Sequence, residues 1–323
     1  MKKKISIFCT LGPSSLKKDF LKFSNKKVDL LRLNMSHINP KKLKKTIQFI
    51  RKYTKTPICI DTEGAQIRTK IIKNKKIKKN SIINLFKNNK DFSLYPDDVF
   101  SKLRKNDILD VGFDNLKFKI LDKHKKFLKL KCLSNGMLEN NKGVHLMNRS
   151  IKLNPLTNKD KKSLEIGVQN NVKNFALSFT NTPEDVILFS KKLPSENKIF
   201  KLETKNALKN INKIFNIGSN FLIDRGDLSK DVGILNTPVS QRFIFKKAKK
   251  LRKKRVKIYV ATNFLESMIH KPYPTRAELN DIYNSLELGA DGLVLAAETA
   301  IGKYPKECVT ILNELIKLFK KEN

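Results

Sequence analysis

Apolar residues along this chain gather into eight short runs rich in β-branched and aromatic side chains. They read ISIFCTLG, VDLLRLNMS, PICIDTEG, NFALSFT, IFKLET, FLIDRGDL, KIYVATNF and GLVLAAET. Between them the apolar positions recur every three to four residues, which predicts helices over Lys41–Tyr53, Asn158–Gln169, Pro183–Leu193, Val239–Lys254 and Thr275–Leu286. Start signals agree with that register: Thr157 precedes NKDKKSLEIGV, Thr182 is followed by Pro183, and Pro274-Thr275 precedes RAELNDIY. Eight alternating units without an opening Rossmann glycine fingerprint predict an α/β chain, folded as a closed (β/α)8 TIM barrel rather than an open doubly wound sheet.

One stretch breaks the alternation. From residue 70 to 144 the chain offers only short β-like pieces, SIINLF, DILDVGFDNLKFKIL and FLKLKCL, separated by Asn, Asp, Gly and Lys turns. This predicts a small β-rich domain, 70–144, inserted after the third strand of a barrel formed by 1–69 and 145–323. An excursion from the carboxyl end of a barrel strand suggests a lid; the alternative is a decoration with no part in turnover.

In a barrel the polar residues that follow each apolar run converge on one mouth. They are Thr10; Arg32, Asn34, Ser36 and His37; Asp61, Thr62 and, further on, Arg68; Ser178; Lys201 and Glu203; Asp227; Thr262; and Glu298. Each alone is an ordinary loop residue, but together they make a set rich in hard oxygens and cations. Glu203 and Asp227, on neighbouring strands, offer two carboxylates in the manner of a Mg2+ or Mn2+ site, and no His or Cys cluster points to zinc. Arg32 and Lys201 would neutralise phosphate charge, the first as a planar fork and the second as a point charge. That combination suits phosphoryl transfer or enolate chemistry. The common nucleotide loops, GxxxxGK[ST], GxGxxG and DFG, are missing.

Charge adds a second question. With 68 basic against 30 acidic residues the chain carries a formal +38, a field that attracts polyanions. Lysine is spread over nearly every helix, as in KKLKKTIQFIRKY and FKKAKKLRKKR, rather than gathered on one element, which argues against a nucleic-acid interface. Cys9, Cys59, Cys132 and Cys308 lack metal-ligand spacing and read as reduced thiols. No run approaches the roughly 18–20 apolar residues that span a bilayer, and the first residues have too short an apolar stretch for a signal peptide. The expected location is cytoplasmic, with no membrane partner.

At these residues the chain resembles the pyruvate kinase family. The matching stretches are CTLGPSS, LRLNMSH, DTEGAQIRT, NKGVHL, FKLET, DRGDLS, VATNFLESMI, PTRAELND and AAETAIGKYP, in family order from residue 5 to about 318. The resemblance implies phosphoryl transfer from phosphoenolpyruvate to ADP, giving pyruvate and ATP, with a divalent ion and K+. By position it implies that Glu203 and Asp227 hold Mg2+, and that Gly226 and Asp227, through their backbone, and Thr262 hold the substrate carboxylate. It assigns Lys201 and Arg32 to the phosphoryl group and Asn34, Ser36, Asp61 and Thr62 to K+. Asn34, Met35, Ser36, His37, Arg68 and Lys142 match the nucleotide side, and Thr262 with water is the expected source of the proton taken up by the enolate. The inserted domain falls where the family keeps its B domain. Because the sequence stops after an eighth helix, the family's C-terminal regulatory domain, and control by a sugar phosphate through it, are not expected; a homo-oligomer remains open.

The departures are specific. Ile38 replaces the usual Gly; DTEGAQIRT brings Glu63, Ala65 and Gln66 in place of Lys, Pro and Glu; AAET at Ala296–Thr299 replaces SGET; Asn263 stands for Gln and Asn181 for Arg. Gln66 bears on K+ dependence, Glu63 reverses a charge near the phosphates, and Asn181 removes a side-chain anchor. Two other readings stay open: a diverged, non-catalytic relative that binds a nucleotide, RNA or protein, and another metal-dependent phosphoenolpyruvate or pyruvate enzyme, against which NKGVHL and DTEGAQIRT argue.

Overall fold

The structure, a computed structural model, describes residues 4–88, 91–112, 116–251 and 256–322. It divides into two compact units, one running up to Gly64 and resuming at Asn158, the other Ala65–Thr157.

The first unit is a closed barrel of eight parallel strands. In chain order they are β1 Ser6–Thr10, β2 Leu30–Asn34, β3 Ile58–Asp61, β4 Asn174–Leu177, β5 Asn197–Leu202, β6 Asn220–Asp224, β7 Lys257–Ala261 and β8 Gly292–Leu295. Each pairs with its neighbours in sequence order, and β8 returns to β1 through the register Ile7 opposite Leu293 and Phe8 opposite Val294. Closure removes both sheet edges, so every strand can be buried and apolar. One set of side chains, Phe8, Leu30, Cys59, Ala176, Ile199, Leu222, Tyr259, Ala261 and Val294, packs as a cluster of its own. These residues come one or two to a strand, and they fill the interior.

Helices cover the outside for reasons visible in their ends. Pro40–Tyr53 begins with Pro at its first turn and Asn39 accepting from the Lys41 N–H, and it buries Leu43, Ile47 and Ile50 along one face. Pro183–Lys192 and Arg276–Glu287 both open with capping boxes, Thr182 with Asp185 and Thr275 with Glu278. Glu278 also accepts from the Ser267 N–H at 2.7 Å and so ties the segment after β7 to this helix. Gly12 sits where a Cβ would lie 2.5 Å from the Ala300 carbonyl oxygen, so only glycine permits the first and last strand loops to approach this closely.

The helix predicted over Val239–Lys254 spans Thr237–Lys249, and residues 252–255 lie outside the described residues. The run FLIDRGDL, which reads as a strand entering a charged turn, divides differently: β6 stops at Asp224 and Arg225–Val232 is a helix. Asp227 therefore lies in a first helical turn, where its charge suits the positive end of the helix.

The second unit carries a seven-stranded sheet in the spatial order Ile82–Phe86, Phe127–Cys132, Leu116–Lys123, Ile108–Val111, Gly143–Leu146, Ile67–Ile71 and Phe92–Tyr95. A further pair joins Lys75–Ile77 to Gly136–Leu138. It has its own core, including Leu85, Phe92, Phe118, Leu128 and Leu130, which is why it forms a separate compact body. Residues 113–115 of the predicted piece DILDVGFDNLKFKIL are outside the described residues. No helix among the described residues is long and apolar enough to cross a membrane.

Candidate active site

Side chains alternate along a strand, so the residue two positions beyond an interior apolar residue also points inward. Applied to the interior cluster, Phe8 leads to Thr10, Leu30 to Arg32, Cys59 to Asp61, Ala176 to Ser178, Ile199 to Lys201 and Leu222 to Asp224. The carboxyl end of the barrel is thus one polar layer resting on an apolar one, and all six of these residues are buried.

Lys201 lies at its centre. Its Nζ is 2.8 Å from Glu203 Oε1, 3.2 Å from Asp224 Oδ2 and 3.4 Å from Asp61 Oδ2, and it donates to Ser178 Oγ at 3.2 Å. Arg32 reaches Asp61 Oδ2 with both Nε and Nη2 at 2.6 Å, and its Nη1 donates to Thr10 Oγ1 at 2.9 Å. Burial works against the Lys201 ammonium, but Asp61, Glu203 and Asp224 outweigh it and hold the amine well above the usual lysine value. Burial pushes Glu203 the other way for an acid, up to about 8; Lys201 opposes that rise while Asp224 and Asp227 add to it. In Asp224 the burial cost is overcome by Lys201 and Arg32, and the carboxyl falls below its ordinary value.

Glu203, Asp224 and Asp227 each bring a carboxylate oxygen within 4.8 Å of the others. Glu203 Oε2 accepts the Phe179 N–H at 2.6 Å, while buried Oε1 faces the Lys201 ammonium at 2.8 Å. Two cations, Arg32 and Lys201, face four carboxylates, Asp61, Glu203, Asp224 and Asp227, so the ionised cluster is net negative. A hard divalent cation fits on both counts: the donors are carboxylate oxygens, and its charge offsets their excess. The sequence reading missed Asp224. The signal is the strand period, which places Asp224 two residues beyond interior Leu222.

The loop after β7 is held in an uncommon conformation. Thr262 and Asn263 have φ of 74° and 58°, left-handed values that a β-branched residue such as Thr seldom adopts. Arg225 provides the constraint: its Nε donates to the Thr262 carbonyl at 3.0 Å, Nη2 donates to the same oxygen, Nη1 meets both Asp281 oxygens at 2.8 and 2.7 Å, and the guanidinium lies over Phe264. The Thr262 hydroxyl accepts from the Gly226 N–H at 3.0 Å and lies 3.1 Å from Asp224 Oδ1. Asp281→Ala is expected to lower stability by about 1–2 kcal/mol, the scale of a lost charge-assisted pair, measured by denaturant unfolding with Asp281→Asn as the milder partner.

The other residues singled out in the sequence are placed as follows. Asp61 is fully engaged, with Oδ1 near the Ser178 hydroxyl at 3.1 Å, and buried Thr62 accepts the Ser178 N–H at 3.0 Å. Asn34 accepts the Ser36 N–H at 3.0 Å, Met35 is a buried core side chain, and His37 is exposed. Arg68 and Lys142 belong to the second unit, where Arg68 Nη1 donates to the Asn141 carbonyl at 3.1 Å and Lys142 pairs with Glu139 at 2.9 Å. Glu63 is buried and paired with Lys159 at 3.1 Å, which neutralises the reversed charge locally, and the Glu63 and Gly64 N–H groups donate to buried Asp160. Asn181 accepts from the Thr204 hydroxyl and donates to the Phe179 carbonyl, so it serves the loop around Glu203. Glu298, raised by burial, accepts the Ala296 N–H at 2.7 Å and supports the end of β8.

A closed parallel barrel with a carboxylate trio, a buried lysine and a buried arginine at its carboxyl end defines the class: a TIM barrel with a charged, oxygen-rich mouth. The family follows from comparison with known proteins, since the profile "Pyruvate kinase, barrel domain" matches residues 2–309. Over 337 residues the chain is 30% identical to the pyruvate kinase of Thermotoga maritima, covering 98% of this chain and 71% of that protein. It is 32% identical to that of Staphylococcus haemolyticus and 30% identical to that of Staphylococcus aureus, covering 97% of this chain in each. The chain spans just over half, 56%, of the length of these two staphylococcal relatives. It belongs to the pyruvate kinase family.

Proposed function

We propose that the protein transfers the phosphoryl group of phosphoenolpyruvate to ADP, with Mg2+ or Mn2+ and K+. The observation that carries this reading is Lys201, a buried ammonium at 2.8 Å from Glu203 and 3.2 Å from Asp224, with Arg32 joined to it through Asp61. Phosphoryl transfer asks mainly for positioning and charge neutralisation, and a preorganised lysine supplies both at low reorganisation cost.

Arg32 and Lys201 would take the phosphate oxygens. The Gly226 and Asp227 N–H groups, in the first turn of their helix, and Thr262 would take the carboxylate. The Thr262 hydroxyl accepts from the Gly226 N–H at 3.0 Å, which sets these two groups side by side where the carboxylate would bind. Glu203, Asp227 and, added here, Asp224 would hold the divalent ion, which supplies charge stabilisation on the substrate oxygens when bound. Thr262, with water, would deliver the proton to the enolate carbon. Asn34, Ser36, Asp61 and Thr62 are the K+ candidates. The nucleotide role of Asn34, Met35, Ser36, His37, Arg68 and Lys142 rests on the family resemblance, as do the inserted unit as the family's B domain and a cytoplasmic location.

The deciding assay supplies purified protein with phosphoenolpyruvate, ADP, Mg2+ and K+ and follows pyruvate. Saturable production that requires both substrates is expected. No turnover under any mixture of monovalent and divalent cations, with nucleotide still bound, would transfer the case to the non-catalytic relative.

A further inference from the structure

The opposite end of the barrel holds a cavity of about 810 Å³, within the size range of small-ligand sites. It opens among the amino ends of the strands, away from Lys201 and Glu203. Among the described residues Lys4, Arg51, Lys55, Lys173 and Lys257 line it, against one carboxylate, Asp29. That acid is already spent, since it pairs with Lys4 at 2.6 Å and accepts the Ile7 N–H at 2.9 Å. Arg51 gives one N–H to the Asn171 carbonyl and Lys173 lies 3.8 Å from Glu196. Among the described residues Lys55 and Lys257 are in no ion pair, so the cavity keeps an excess of positive charge that its own walls do not neutralise.

The floor adds a fixed polar group. Tyr259 is more than nine-tenths buried, at 8% exposure, and its ring is fixed against Phe8 with centroids 4.7 Å apart. Both rings line the cavity. The hydroxyl opens onto the cavity, where it can donate to an oxygen of a bound anion. Lysine is abundant all over this surface, but a concave cluster above a fixed hydroxyl is a different arrangement from lysines on a convex helix face.

We propose that this cavity binds a small, multiply charged organic anion, an organic phosphate or a polycarboxylate, with Lys55 and Lys257 on its charge and the Tyr259 hydroxyl donating to one of its oxygens. The site is independent of the activity proposed for the other end of the barrel.

The test titrates inorganic pyrophosphate, and separately citrate, into full-length protein by calorimetry in metal-free buffer at about 150 mM salt, where long-range surface attraction is screened. Without metal the carboxyl-end cluster is net negative and should repel both probes. Saturable binding at a stoichiometry of one is expected. The double variant Lys55→Ser, Lys257→Ser should weaken it at least about tenfold and Tyr259→Phe about threefold or more, on the scale of lost charged and neutral hydrogen bonds. The control pair Lys18→Ser, Lys162→Ser, on exposed helices, should leave it within about twofold by the same argument, with thermal melts verifying that all variants fold. Tighter binding of pyrophosphate than citrate assigns the site to phosphates, and the reverse order to carboxylates. Absence of saturation, undiminished binding in the double variant, or an equal loss in the control pair would each overturn the proposal.

Discussion

Lys201→Met should remove more than about 99% of pyruvate formation, a loss of at least about 2.7 kcal/mol of transition-state stabilisation. Methionine preserves most of the volume of the buried stem and deletes only the ammonium, so the loss reports charge. The same change strips the counter-ion from Asp61, Glu203 and Asp224, which Lys201 contacts at 3.4, 2.8 and 3.2 Å. Leaving buried carboxylates uncompensated costs on the order of 3 kcal/mol or more, so metal-free Lys201→Met should unfold at lower denaturant concentration than wild type. Added Mg2+ should recover part of that stability, because the ion replaces the missing positive charge. The two measurements together separate catalysis from folding: a variant restored to wild-type stability by Mg2+ yet still inactive has lost the phosphoryl contact. Retention of more than a tenth of the turnover would remove Lys201 from the chemistry.

Much of this arrangement is legible in the sequence because a barrel obeys two simple periods. The eight apolar runs mark the strands, and the polar residue just beyond each run marks the mouth, which is how Arg32, Asp61, Ser178, Lys201 and Glu203 can be found together without coordinates. What escapes is whatever depends on a change of element within a motif. In IDRGDLS the strand gives way to helix at Arg225, and that switch divides the work: Asp224 faces inward from the strand, Arg225 turns back to grip Thr262 and Asp281, and Asp227 sits in the first helical turn. Pattern reading assigned the whole task to Asp227. The consequences of substitutions were equally hidden. Glu63 looks like a repulsive charge until Lys159, 96 positions away, is found beside it. Asn181 looks like a lost anchor until its bonds to Thr204 and Phe179 appear. Such partners are set by tertiary proximity, which no local spacing encodes. The cavity at the amino end is invisible for the same reason, its cations coming from strand starts and a helix end far apart in the chain.

The metal site makes the second large prediction, and its strength is that two neighbouring substitutions should act with opposite signs. Glu203→Ala should abolish more than about 99% of turnover and weaken Mn2+ binding, read by electron paramagnetic resonance of the free ion, by well over tenfold, since outer-shell changes alone cost about that much. Glu203 is the most deeply buried of the trio, and its Oε1 faces the Lys201 ammonium at 2.8 Å, so an ion competes with the Lys201 charge for that oxygen. Asp224→Asn keeps the shape and the Thr262 contact while removing one charge, and should weaken Mn2+ by about three- to tenfold, a single Coulomb contribution in a partly screened cluster. Lys201→Met removes a positive charge beside the same oxygens and should instead tighten Mn2+, even as it abolishes activity. An ion bound elsewhere on this lysine-rich surface would not respond to the three changes in that pattern. If Asp224→Asn leaves Mn2+ affinity unchanged, the third carboxylate serves Lys201 and Thr262 alone, and the ion rests on Glu203 and Asp227.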